Sequence, residues 1–183
     1  MNKIYETARL LVRNFNHNDA AFIQTLLNEP DFIKNIADKG VQSLEDAIKY
    51  LDTVPLASYE KYGFGLWCME LKQTGQPIGM CGLVKRDYLA HPDIGYAILS
   101  DFYRQGLTAE AVAGTIKWAK EEMDIPALLG IVNVGNEASQ KVLEGAGLAY
   151  QGWWSRRKIC RHFSFTKFCC KANRTDNRGI LAG

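Results

Sequence analysis

No stretch of this 183-residue chain reaches the roughly 18 to 20 apolar residues of a membrane span, because Asp, Glu, Lys or Arg interrupts every candidate. The opening Met1-Asn2-Lys3-Ile4-Tyr5-Glu6 lacks the apolar stretch of a secretory leader, so none is expected. Cysteine is scarce and odd in number, at five. Cys160 and His162 stand too close together for a zinc pair, and no second pair completes four ligands. No metal is therefore expected, and a reduced cytoplasm is the default compartment. Also missing are the Gly-Lys-Ser/Thr ending of a P-loop, a three-glycine dinucleotide fingerprint, internal repeats and low-complexity tracts. These absences exclude a membrane protein, a disordered chain and a secreted mini-scaffold.

What is present is ordinary for a globular domain: 47% hydrophobic, 11% aromatic and 23% charged residues. At about 150 residues per domain the length predicts one unit, spanning residues 1–170. Charge is unevenly placed. Residues 151–183 carry eight basic side chains against one acid, Asp176, a net of +7 that leaves −5 for residues 1–150 of a chain totalling +2. The segment 171–183 reads as a loose basic tail, either a solvated extension or a surface for phosphate, RNA or an acidic partner. No aromatic–basic motif accompanies it, so nucleic-acid binding is not the favoured reading.

Periodicity gives the order of elements. Arg9–Arg13 reads as a strand. A helix capped at Asn18 or Asp19 follows, burying Ala20, Phe22, Ile23, Leu26 and Leu27, and Pro30 ends it or starts the next turn. Ser43 with Asp46 marks another cap, and that helix stops near Pro55 or resumes to Tyr59. Phe64–Leu71 and Ile78–Val84 predict an antiparallel hairpin, with Cys68 and Cys81 in its core. Pro92–Leu99 is a third strand in this region, where Gly95 marks a bulge or a close approach. A helix from Leu107 to Met123, a strand at Leu128–Val132 and a helix from Asn136 to Ala146 come next. Two further strands, near Leu148–Trp153 and Arg161–Phe168, end the pattern. This order predicts an α/β (α+β) domain with a mixed sheet and helices on both faces.

Chemistry concentrates where a strand turns into a helix, over Ile94-Gly95-Tyr96-Ala97-Ile98-Leu99 and on through Tyr103-Arg104-Gln105-Gly106-Leu107-Thr108-Ala109. A glycine there lets backbone amides approach an anion, and the helix start adds aligned donors and partial positive charge. A plain strand-to-helix turn would look the same. Glu110, in the first helical turn, reads as a structural cap.

Four passages together resemble the GNAT superfamily of acyl-CoA-dependent N-acetyltransferases, in its RimJ/RimL-like branch. They are Thr7-Ala8-Arg9-Leu10-Leu11-Val12-Arg13, Ile78-Gly79-Met80-Cys81-Gly82-Leu83, the Asp93–Ala111 stretch, and Asn136-Glu137-Ala138-Ser139 with Gly145-Ala146-Gly147-Leu148. The resemblance implies a mostly antiparallel central sheet of about six to seven strands with a V-shaped splay between its middle strands. It implies acetyl-CoA as co-substrate, its pyrophosphate held by Arg104, Gln105, Gly106, Leu107, Thr108 and Ala109. Tyr103 and Thr108 depart from the family's usual residues in that loop. The pantetheine arm would lie along Ala97, Ile98 and Leu99, with Asn136 and Ser139 beside it, and a backbone N–H near Ile98 would polarise the carbonyl.

The implied reaction moves an acetyl group to a primary amine, a protein N-terminal amine among the candidates, by direct attack in a ternary complex. The amine must lose a proton and the departing thiolate must gain one. Asp93 stands where relatives carry the base, and His91 is its rival. Many relatives place an acidic tyrosine where this chain has Leu143, and RimL-type relatives use the serine matching Ser139. Phe32, Asn35, Ile36, Tyr59, Tyr62 and Phe64 are expected around the acceptor. A homodimer is left open. The alternatives are a non-catalytic acyl-CoA-binding or regulatory module and a ribosome- or RNA-associated protein using the basic tail.

Overall fold

A computed structural model describes residues 2–133, 135–154 and 165–171, with residues 151–154 and 165–171 as backbone alone. The basic tail beyond Lys171, the Cys160/His162 pair and the first part of the last expected strand lie outside the described residues.

Eight strands form one sheet in the order β1-β2-β3-β4-β5-β6-β8-β7. They are β1 (Lys3–Glu6), β2 (Leu10–Arg13), β3 (Leu66–Leu71), β4 (Pro77–Val84), β5 (Asp93–Ile98), β6 (Ala127–Asn133), β7 (Ala149–Trp154) and β8 (Phe165–Lys171). Every neighbouring pair is antiparallel except β5 and β6. The strand not foreseen is β1. It has only four residues, is solvent-exposed at both ends and pairs with β2 through a register shift between Lys3 and Tyr5. No alternation of polarity announces so short and irregular an edge.

Helices cover both faces. On one lie α1 (Ala20–Leu27), α2 (Pro30–Asn35) and α3 (Leu44–Leu51); α4 (Ala57–Tyr62) follows, with its Tyr59 and Tyr62 packed against the cluster of the opposite face. Ser43 caps α3 through a capping box with Asp46, whose amide donates to the Ser43 hydroxyl at 3.1 Å. Pro55 does not end the run. A π-helical turn over Asp52–Leu56 accommodates it and leads directly into α4. The other face carries α5 (Leu107–Glu121) and α6 (Glu137–Gly145). Helix α5 buries Leu107, Ala111, Val112, Thr115 and Ala119 at helical spacing, and Ile116 stays half-buried. Among the described residues no helix is long and apolar enough to cross a membrane.

Two apolar clusters therefore sandwich the sheet. One joins Trp67, Ile78, Leu83, Ile94, Ala111, Val112 and Leu143 under α5 and α6. The other joins Phe15, Ile23, Leu26, Leu51, Cys68 and Met80 under α1–α3. Beneath the second, Arg13 is 3% exposed and donates to Asp19 at 2.8 and 2.9 Å and to Glu70 at 2.7 Å. Three buried charges are affordable there only because they satisfy one another. Burial pushes the Cys81 thiol up to about 12 and holds the Cys68 thiol protonated as well, so both cysteines pack as apolar groups.

The fold's decisive irregularity lies between β5 and β6. These parallel strands share a single backbone pair, Asp93 with Leu129, beside which the Leu129 amide donates to the Pro92 carbonyl at 2.9 Å. Beyond it they diverge. On its other side β5 pairs with β4 along its whole length, and the ladder extends to the Leu99 amide, which donates to Ile78 at 2.9 Å. Ladder bonds alternate, so Gly95, Ala97 and Leu99 turn their backbone groups to β4. Tyr96 and Ile98 turn theirs into the gap. The splay expected from the resemblance is this gap.

Candidate active site

A cleft of about 730 Å³ follows the gap from the start of α5 to the end of α2. Its walls bring together most of the residues singled out in the sequence: Asp93, Ala97, Ile98, Arg104, Gly106, Leu107, Thr108, Ala109, Asn136 and Ser139. Leu99, Gln105 and His91 do not line it. Leu99 packs against the α1–α3 cluster, and His91 lies two residues before β5.

At one end the chain leaves a short 3-10 turn (Ser100–Phe102) and enters α5 through a loop with two left-handed residues, Arg104 at φ 60° and Gly106 at φ 74°. Gly106 is the N-cap of α5 and supplies no side-chain cap. The first-turn amides of α5 consequently have no partner inside the helix and face the cleft with its partial positive charge. The loop is held from outside. Arg9 donates to the Gln105 carbonyl at 2.9 Å and to Glu110 at 2.7 Å, while Thr7 and the Arg9 amide donate to the same carboxylate at 2.6 and 2.8 Å. Burial pushes Glu110 up, but these hydrogen bonds and the Arg9 charge outweigh it and hold the carboxyl below its ordinary value. Thr7 and Arg9 thus act as the brace of the loop, which explains their place in the motif.

In the middle, the two sheet faces present different chemistry. Side chains alternate along β5, so Asp93 and Ala97 project toward the α1–α3 side and Tyr96 toward α6. Asp93 is 2% exposed and accepts from Arg86 Nε at 2.8 Å. Burial raises its carboxyl above the usual range, opposed by Arg86. Arg86 is 38% exposed at its side chain and keeps contact with water. Across the cleft the Asn136 side chain accepts from the Ser139 amide at 3.1 Å, capping α6. The Ser139 hydroxyl takes no part in that cap. It lies 2.6 Å from the hydroxyl of Tyr96. Leu143 is 1% exposed and packs toward β6, where a Cβ on Gly130 would approach its Cδ1 to 2.5 Å.

The far end is formed by Phe32, Asn35, Ile36, Lys39, Arg86 and Tyr88. Asn133 closes it by donating to the Asn35 carbonyl at 2.6 Å, a tie between β6 and α2. Partial burial of its ammonium and the nearby Arg86 charge hold Lys39 below its ordinary value. Tyr59, Tyr62 and Phe64, expected near the acceptor, are not in the walls. The Tyr59 hydroxyl accepts from the Phe15 amide at 3.2 Å and donates to the Leu66 carbonyl. Tyr62 stacks on Phe64 at 5.9 Å between centroids. Arg86, Lys39, Tyr88 and Asn133 are among the cleft residues that sequence reasoning missed, and Tyr96 stood in it only as part of the motif stretch.

Comparison with known proteins agrees with this geometry. A family model for the acetyltransferase (GNAT) domain matches residues 9–149. The uncharacterized N-acetyltransferase YoaA of Bacillus subtilis (strain 168) is 26% identical over 152 residues, covering 81% of this chain and 84% of its own. Among solved structures, RimL, the ribosomal L7/L12 alpha-N-protein acetyltransferase in complex with coenzyme A, superposes with a TM-score of 0.80. The two are 14% identical, and the match covers 93% of this chain and 98% of RimL. A GNAT-family acetyltransferase from Bacillus anthracis gives a TM-score of 0.76 at 20% identity, over 91% of this chain and 96% of that one.

Proposed function

The chain belongs to the GNAT acetyltransferase family and is an acyltransferase; from that premise we propose that it transfers an acetyl group from acetyl-CoA to a primary amine, by direct attack within the cleft. The observation that carries this reading is the parted β5–β6 pair with an uncapped α5 N-terminus at one end. An extended, anion-bearing molecule matches both features: a strand edge for its arm and free amides for its phosphates. The residues present fit such a group. Gly106, Leu107, Thr108 and Ala109 would hold the pyrophosphate, with Arg104 adding charge. Tyr96 and Ile98 would offer backbone groups to the arm, and the Ile98 amide would polarise the carbonyl.

Acetyl-CoA supplies an activated acyl carbon and a thiolate leaving group. The chain does the rest by position and proton handling. Phe32, Asn35 and Ile36 form the acceptor end and orient the amine toward the gap. Asp93 stands at the point where the strands part, and its raised carboxyl serves as the base, directly or through one water. Ser139, from the opposite face, donates a hydrogen bond to the departing sulfur. No enzyme nucleophile is required, which suits the buried cysteines. RimL acts on a ribosomal-protein N-terminus, and a protein N-terminal amine is the acceptor class we favour for this chain too.

Calorimetric titration with acetyl-CoA, beside ATP and NAD, tests the premise. Binding near one site per chain, weakened by Gly106→Trp, is expected. A chain that binds neither acetyl-CoA nor CoA refutes it, and saturable binding without transfer to any amine favours a non-catalytic acyl-CoA-binding module.

A further inference from the structure

The geometry points to Tyr96 as the positioning residue that turns the Ser139 hydroxyl toward the thioester sulfur, a task done from the strand instead of from α6. This rests on the acetyl-CoA reading above. Three observations converge on it.

One turn beyond Ser139 on α6, Leu143 carries no hydroxyl, does not line the cleft and faces the core against β6. The Tyr96 hydroxyl, arriving from β5, lies 2.6 Å from Ser139 Oγ and 3.0 Å from the Ser139 carbonyl, and both side chains line the cleft. The phenol has one proton to give; the contact to the Ser139 carbonyl can only be its donation, so a three-centre bond shares that proton between the carbonyl and the nearer Oγ. With that proton on Oγ, the serine's own proton is released from Tyr96. Among the described residues no backbone carbonyl of α6 takes it, although serines in helices commonly bond back to the preceding turn. It is therefore free to point into the cleft. Burial holds the Tyr96 phenol protonated, so it remains a donor across the working pH range.

The chemistry balances without ionising Tyr96. As the carbon–nitrogen bond forms, the carbon–sulfur bond breaks and its electron pair goes to sulfur. The amine's proton leaves on the Asp93 side, directly or through water. The hydroxyl pair stabilises the new thiolate by a charge-assisted hydrogen bond, which is stronger than its neutral counterpart. Serine alone would present its proton in any of three rotamers. Tyr96 selects one.

The test compares CoA with desulfo-CoA by calorimetry at about pH 10, where the pantetheine thiol, an alkyl thiol less acidic than the cysteine thiol near 8.5, is substantially ionised. The wild-type protein should bind CoA about tenfold or more tightly than desulfo-CoA, the gain expected of one hydrogen bond to a charged group. Tyr96→Phe, which keeps the ring and its packing, should lower that ratio about threefold, the weight of one rotamer among three. Its desulfo-CoA affinity should stay at the wild-type value while its melting temperature falls by about 2–4 °C for the lost bond to the Ser139 carbonyl; a merely structural role for the hydroxyl would weaken both ligands alike. Ser139→Ala should bring the ratio to within about twofold, and adding Tyr96→Phe to it should change the ratio no further. A Tyr96→Phe protein that keeps the wild-type ratio overturns the inference, as does a wild-type protein that binds both ligands equally. A wild-type protein that binds neither overturns the acetyl-CoA reading and this inference together.

Discussion

The Arg86–Asp93 pair makes an asymmetric prediction, because its members differ in access to water. Asp93 is 2% exposed, whereas the Arg86 side chain is 38% exposed. Removing one member of a fully buried pair costs about 3–5 kcal/mol, since the other is left charged and dry. Arg86→Met leaves Asp93 in that position, and because half of the pair was already solvated the cost should be nearer 2–3 kcal/mol at pH 8. For a chain of this size that is a melting-temperature loss of roughly 4–12 °C. Asp93→Asn removes the buried charge and leaves Arg86 free to turn outward, so its cost should stay below about 1 kcal/mol. The pH dependence fixes the sign. In Arg86→Met the folded carboxyl titrates above its unfolded value near 3.9, so the penalty grows as pH rises and disappears as pH falls toward that value. Denaturation midpoints of the three proteins at pH 5 and pH 8 measure all of this. Equal destabilisation by the two substitutions, or an Arg86→Met deficit independent of pH, would refute the reasoning. Asp93→Asn should at the same time lower kcat by about 100-fold or more if Asp93 is the base, a loss of activity without a loss of stability.

Other expectations follow from single positions. Gly106→Ala places a side chain at φ 74° with nothing closer than Arg9 at 3.6 Å; it should fold, lose about 1–2 kcal/mol of stability from the left-handed backbone, and bind CoA more weakly by calorimetry. Glu110→Gln removes a carboxyl held low by Thr7 and Arg9. Its stabilising contribution is present above the unfolded value and lost as pH falls through the lower folded value, so variant and wild type should differ in melting temperature at pH 7 and converge in acid. Leu143→Tyr should not restore an acid. Its ring would overpack the space against Gly130 at a cost of about 1–3 kcal/mol, and kcat should not rise.

What could be read from the sequence was what is decided locally. Ser43 and Asp46 lie three residues apart, and their capping box depends on nothing else. Gly106 between a strand and a long amphipathic helix likewise announced the loop, and the helical face of α5 followed from spacing alone. Partnerships across the sheet were not legible. Nothing in the chain says that Tyr96 meets Ser139, 43 residues away, or that Thr7 and Arg9 brace a loop about a hundred residues on. Arg86 and Asp93 are close in sequence, but a loop of no regular pattern sets their angle. Tyr59, Tyr62 and Phe64 show the opposite failure. Their aromatic character is plain, but residue type does not say which way a side chain points, and Tyr59 is used to tie α4 to β3.

The single backbone pair joining β5 to β6 means that the molecule keeps an unfinished strand edge at its centre. Strand edges ordinarily recruit other chains, and proteins blunt them at the periphery with charge, proline or irregularity. This one is guarded by confinement: α2 stands on one side, α5 and α6 on the other, and Asn133 straps the far end to Asn35. A second sheet cannot reach it, whereas a thin extended molecule entering lengthwise can. Selectivity against aggregation and selectivity for a thin, extended ligand thus come from the same walls.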